Sequence, residues 1–105
     1  MGREDLYEVV RLCHEKNIMI LADEVYQENI YKEGKKFVSM RKILHEMGEP
    51  FSSELELVSM NSISKGLLGE CGFRGGYLEM YNFSHRAEEL MYKLKSIELC
   101  ANTVG

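Results

Sequence analysis

NIMILADE, residues 17 to 24, sets five apolar side chains in a row, Ile18 to Ala22, and then stops on a carboxylate, Asp23. A strand with one face in water alternates apolar and polar residues, so an unbroken run fits a short strand buried on both faces, as in a parallel sheet. The segments around it bear this out as an expectation. Upstream, residues 3 to 16 place Leu6, Val9, Val10 and Cys13 at the i, i+3, i+4, i+7 spacing of an amphipathic helix, with Arg3, Glu4, Glu8 and Glu15 elsewhere on its surface.

Downstream, a second helical pattern runs from about Ser39 to Met47 through Met40, Ile43 and Leu44, ends at Gly48, and is kept from continuing by Pro50. ELELVSMNS, residues 54 to 62, reads as a second strand, and GGYLEMYNF, residues 75 to 83, as a third. Ser84 suits the N-cap of a last helix with an apolar stripe of Ala87, Leu90, Met91, Leu94 and Ile97, whose Met and aromatic residues read as core. Helix and strand alternate, which predicts an α/β layered fold: a mostly parallel sheet flanked by helices, with strands joined by crossovers. The short link between the second and third strands leaves room for one antiparallel pairing. Residues 1–105 read as one domain or part of one, without repeat, low-complexity segment or linker.

With 45% apolar and 29% charged residues the composition is that of a globular protein, and a formal charge of −4 provides no positive field for nucleic acid or anionic lipid. Cys13, Cys71 and Cys100 are far apart and odd in number, which argues against a disulfide framework or a structural zinc site and for a reducing compartment. The cytoplasm fits, with the mitochondrion equally open. No apolar run reaches membrane-spanning length, and the start is neither a signal peptide nor a myristoylation signal, since Leu6 stands where Ser or Thr is needed. The chain begins almost on a helix and ends on CANTVG with no polar tail, as if cut from something longer.

In open α/β sheets ligands bind beyond the carboxyl ends of the strands. The first strand presents Asp23, Glu24 and Tyr26 there, and the second Ser62, Ser64 and Lys65. Each has a plain alternative. Lys65 in a glycine-rich loop suits a solvated surface lysine, Asp23 a cap, Tyr26 a packing residue, and Ser64 a turn former. A Walker site fails on order, because it needs glycines ahead of its lysine and here they follow. Cys71 has no base beside it in sequence and reads as a small space-filler. His14, His45 and His85 read as surface residues and form no ligand pattern, so no metal site is expected.

ADEVYQENIY followed by SISKGLLGECGFRGGY resembles the cofactor-binding core of fold-type I pyridoxal-phosphate aminotransferases, and GECGFRGGY is most similar to their alanine aminotransferase branch. The likeness covers nearly the whole chain. It rests on D-x-x-Y after an apolar strand, S-x-S-K after the next, and an arginine nine positions past the lysine, which are specific only together. The resemblance implies a piece of the large, pyridoxal-phosphate-binding domain. In it Lys65 would carry the cofactor as a Schiff base and shuttle the substrate's Cα proton, Asp23 would pair with the pyridine nitrogen, and Tyr26 with the phenolate oxygen. Ser62 and Arg74 would hold the phosphate, with Ser64 as a secondary contact. A lysine near another cation and out of bulk water loses its proton more readily, which suits that role. Gly66, Gly69 and Gly72 would let the loop turn tightly, and Gly75 and Gly76 would permit close approach at the next strand.

The implied substrates are a small amino acid, alanine first, and a 2-oxo acid, 2-oxoglutarate first, with glutamate:glyoxylate exchange close behind, in a homodimeric enzyme. The chain departs from the family in extent. It lacks the upstream phosphate loop, the residue that stacks on the cofactor ring, the Asn-Pro segment and the C-terminal domain with the carboxylate-clamping arginine. The expectation is therefore an open lysine pocket, exposed apolar sheet surface, and little or no activity from the chain alone. A truncated, non-catalytic product with weak cofactor binding is the alternative.

Overall fold

The computed structural model of the chain describes residues 2–66, 69–83 and 86–98. The first helix, α1 (Arg3–Glu15), follows the expected stripe: Val10 is fully buried, and Leu6, Val9 and Cys13 pack around it. Its end is set by Asn17, whose positive φ of 55° lets its own N–H reach His14 O at 3.1 Å and that of Ile18 reach Cys13 O at 2.8 Å. Those two bonds satisfy carbonyls the last turn would leave unpaired, and they turn the chain into the first strand.

Strand β1 (Ile20–Asp23) runs parallel to β2 (Leu57–Ser62), with Ile20 opposite Leu57 and Asp23 opposite Met60. Strand β3 (Gly76–Tyr81) is antiparallel to β2, from Leu57 opposite Tyr81 to Ser62 opposite Gly76. The sheet is thus mixed, in the order β1-β2-β3, and uses the one antiparallel pairing that the short link permits. Between β1 and β2 lies α2 (Met40–Met47), capped by Ser39, whose hydroxyl accepts the N–H of Lys42 at 3.2 Å, and closed by Gly48 at φ 68°. Pro50 does more than end that helix. It begins a further single turn, α3 (Phe51–Glu54), which the strand-like reading of residue 54 onward had not anticipated.

Helices α1, α2 and α3 cover one face of the sheet. Val10, Ile43, Leu44 and Leu55 pack there on Ile20 and Leu57, the inward residues of β1 and β2. Side chains alternate along a strand, so Leu21, Asp23, Met60 and Ser62 point to the other face. That face is open at β1, where Leu21 is 60% exposed. Of the two faces expected to be buried, one is covered: only one layer of helices lies on β1 among the described residues, and the other face shows the exposed apolar sheet surface expected of a partial chain. The last helix, α4 (Ala87–Glu98), forms where the stripe places it, but Met91 and Tyr92 are exposed rather than core. The Ser84 cap, His85, Cys100 and the side chains of Leu94 and Ile97 lie outside the described residues. His45 is exposed, as expected, whereas His14 is half-buried: it lies 2.9 Å from Glu54 and edge-on to the ring of Phe51.

An ion pair ties the start of α1 to the end of α2, with Arg3 Nη1 2.6 Å from Glu46 Oε2 and the Tyr7 hydroxyl donating to the same oxygen. The Arg3 hydrogen bond holds the Glu46 carboxyl below its ordinary range. A carboxyl depressed in the folded state stabilises the fold above the unfolded value, about 4.3, and loses that contribution as pH falls through the folded one. Glu46→Gln is expected to flatten the fall of the unfolding midpoint below about pH 4 relative to the parent chain, measured by thermal melts across that range. No described helix is long and apolar enough to cross a membrane.

Candidate functional site

The carboxyl ends of β1 and β2 leave the sheet side by side. The N–H of Glu24 bonds Met60 O at 2.9 Å, which carries the parallel ladder one residue past β1. A turn follows, closed by Gln27 N–H on Glu24 O at 3.2 Å, and it carries Tyr26, 58% exposed. Asp23 stands at its foot, an exposed carboxylate that accepts weakly from Val25 N–H at 3.4 Å. At the end of β2 the Ser62 hydroxyl is a local organiser: it accepts the N–H of Ser64 at 3.1 Å and donates to Gly75 O at 3.3 Å. Ile63 N–H bonds the same carbonyl at 3.1 Å. Those bonds bring the far end of the glycine-rich loop back beside Ser62, and Arg74 with it.

Within the loop, Gly69 N–H reaches Lys65 O at 3.3 Å and Glu70 N–H reaches Ile63 O at 2.9 Å. A 3₁₀ turn, Cys71–Phe73, precedes Arg74, which sits in the left-handed region at φ 46° and donates from Nη1 to Cys71 O at 3.1 Å. The remaining donors of its fork stay available for an anion. Cys71, which reads in sequence as a small space-filler, does not fill the interior. It is exposed, and its thiol donates to Ser64 O at 2.9 Å, tying the 3₁₀ turn to the lysine segment.

One contact joins the two strand ends. Gly66 has φ 67°, and a Cβ there would lie 3.2 Å from the carbonyl oxygen of Val25. The residue after Lys65 therefore packs against the residue before Tyr26. Asp23 and Ser62 share the sheet face away from the helices, since Asp23 pairs with Met60 and Ser62 lies two residues further on. So the structure brings Asp23, Tyr26, Ser62, Ser64, Lys65 and Arg74 to one edge of one sheet. It does not withdraw Lys65 from water: the residue is exposed. A cleft of 510 Å³ adjoins the other side of Asp23, between the start of α1 and the segment of residues 30–40, and none of Ser62, Lys65 or Arg74 lines it. No described group of three or more His, Cys, Asp or Glu residues could hold a metal ion.

Two features escaped the sequence reading or were only half seen. The carboxylate of Glu24 reaches across to Ser59 and to the first N–H of α2, contacts with no local signature. The close approach expected at Gly75 and Gly76 is most severe at Gly76, where a Cβ would stand 2.5 Å from Asn61 O, a backbone atom that cannot swing aside. Gly76→Ala is expected to part β2 from β3 at the site and to destabilise the fold by about 1–3 kcal/mol, the usual cost of overpacking, read from a urea titration.

The architecture is that of an aminotransferase domain. A solved aminotransferase from Escherichia coli superposes with a TM-score of 0.71 at 28% identity, over 97% of this chain and 24% of that one. Residues 1–97 match the Aminotransferase class I and II family, and the chain belongs to that family. It is 48% identical over 103 residues to Alanine aminotransferase 1 of Bos taurus, covering 98% of this chain and 21% of the cattle protein. It is 46% identical over 102 residues to Glutamate–glyoxylate aminotransferase 1 of Arabidopsis thaliana, covering 97% and 21% respectively. The chain spans about a fifth of the length of these relatives.

Proposed function

We propose that this chain is part of the pyridoxal-phosphate-binding large domain of an aminotransferase that exchanges an amino group between an amino acid, alanine first, and a 2-oxo acid, 2-oxoglutarate first, in a homodimer. The observation that carries this reading is the packing of Gly66 on Val25, which sets the lysine loop against the Asp23–Tyr26 turn. The residues at that edge fit the cofactor by donor chemistry: a carboxylate for a protonated ring nitrogen, a phenol for an oxyanion, and a hydroxyl and guanidinium for a phosphate. When bound, pyridoxal phosphate supplies a ring that draws off the electron pair left at the amino acid's Cα.

The chain's own residues do the rest. Arg74 would hold phosphate oxygens with the part of its fork not bonded to Cys71, and the Ser62 hydroxyl, whose one proton goes to Gly75 O, would turn from that carbonyl to donate to the phosphate. Asp23 holds a proton at the ring nitrogen. Tyr26 donates to the ring oxygen. Lys65 Nζ would add to the aldehyde carbon with loss of water, and once the substrate's own amine had displaced it, the freed amine would take the proton from the substrate's Cα. Alanine as substrate draws support from the 48% identity to the cattle protein, and glutamate–glyoxylate exchange from the 46% identity to the plant one.

The exposure of Tyr26 and Lys65 favours a second reading for the chain in isolation: weak cofactor uptake without turnover, because water is not excluded and the substrate is not fixed. One experiment separates the two. Pyridoxal phosphate is added, its visible band followed, the complex reduced with borohydride, and the modified peptide mapped. Label on Lys65 with loss of the band on adding alanine is the expected behaviour of the enzyme, and label on Lys65 without turnover that of the isolated segment. Label scattered over surface lysines overturns both.

A further inference from the structure

We infer that Glu24 is a positioning residue for the cofactor site, a brace that fixes the turn carrying Asp23 and Tyr26; this rests on the aminotransferase reading above. Its carboxylate accepts at both oxygens. Oε1 takes the N–H of Met40 at 2.7 Å, and Oε2 the hydroxyl of Ser59 at 2.8 Å. Met40 is the first residue of α2, where an N–H has no partner within the helix, so the carboxylate both satisfies it and faces the positive end of the helix. Ser59 is 4% exposed in the middle strand, and its hydroxyl has to be paired. The Glu24 backbone is held as firmly, with its N–H on Met60 O and its C=O closing the turn on Gln27.

One residue thereby joins β1, β2 and α2. It lies between the two residues proposed to meet the cofactor: Asp23, one position before it and on the opposite face of the sheet, and Tyr26, two positions after it in the turn. Because Glu24 and Asp23 are adjacent and point to opposite faces, the brace can grip the helix layer while leaving the cofactor face clear. Without it the end of β1 keeps its ladder bonds but loses its lateral anchor. Asp23 and Tyr26 are then free to shift relative to Lys65, and the cost falls on cofactor orientation as well as on folding.

The test compares Glu24→Ala, Glu24→Gln and Val10→Ala, the last a core truncation remote from the turn. Pyridoxal phosphate is titrated, the position of its visible band recorded, the complex reduced and mapped, and a thermal melt run on each. Glu24→Ala is expected to weaken uptake about tenfold, displace the band and lower the share of label on Lys65, since two donors lose their acceptor. Glu24→Gln is expected to stay within about twofold of the parent, because its amide can accept from Met40 and donate to Ser59. Val10→Ala is expected to lower the melt while leaving band position and label share unchanged. If Glu24→Ala merely melts lower, with parental band and labelling, the brace is refuted while the aminotransferase reading stands. Failure of the parent chain to label Lys65 refutes that reading and this inference with it.

Discussion

Lys65→Ala is expected to reduce the borohydride label at this site to background and to abolish the visible band of added pyridoxal phosphate. The amine is the group that no neighbour can replace. Ser62 and Ser64 carry hydroxyls, Arg74 a guanidinium whose electron pairs are delocalised, and Asp23 a carboxylate, none of which can replace an amine toward an aldehyde. Lys65→Arg should lose the label as completely as alanine, since it preserves the charge and removes the nucleophile. In a complete enzyme carrying this segment the loss is greater, because general acid–base transfer alone is worth about 10²–10⁴-fold and the covalent step is lost with it. The measurement is peptide mapping after reduction, with the absorbance spectrum beside it. Undiminished label in Lys65→Ala would place the reactive amine elsewhere and end the assignment.

Leu57→Ala has the largest expected effect on the fold. Leu57 lies on the middle strand, paired with Ile20 on one side and Tyr81 on the other, and it is fully buried at 0% exposure against Val10, Ile43 and Leu44. Truncating such a side chain removes its transfer energy and leaves a cavity that the neighbours fill only in part, a cost of about 2–5 kcal/mol. Against a total of about 5–15 kcal/mol for a small domain, that is enough to broaden or erase cooperative unfolding in urea. The site should suffer with it, because the strand ends that present Asp23 and Ser62 are set by this core. Leu21→Ala, one position along the same ladder but on the open face, is expected to cost less than about 1 kcal/mol. Equal effects at the two positions would show that the covered face is not where the fold is held.

The elements and the motif were legible because their signals are local. The spacing of Leu6, Val9, Val10 and Cys13, the Ser39 cap, Gly48 and the apolar run into Asp23 each act within about four residues, and each produced its element nearly at the bounds expected. D-x-x-Y and S-x-S-K were likewise readable as spacings. Less was readable at α3, where four residues after Pro50 form a turn too short to carry a periodic pattern. Exposure was readable in general, as the bare apolar surface of a partial chain, but not residue by residue. Ile18 to Ala22 look buried on both sides, yet hydropathy records the character of a side chain and not the number of layers stacked on it, and Leu21 lies in solvent. Met91 and Tyr92 fail for the same reason.

By itself, then, the order of residues determined the main helices and the three strands, and its resemblance to a known family named six side chains as candidates for one site. Tertiary structure alone decided that β3 runs against β2, that one sheet face is covered, that Gly66 meets Val25, and that Glu24 reaches Met40 and Ser59, 16 and 35 positions away. The physical reason is register. Helix caps and periodicities are fixed by neighbours along the chain, whereas partners across a sheet depend on how two strands slide before they lock, a choice made jointly by the core beneath them and by no single stretch of sequence.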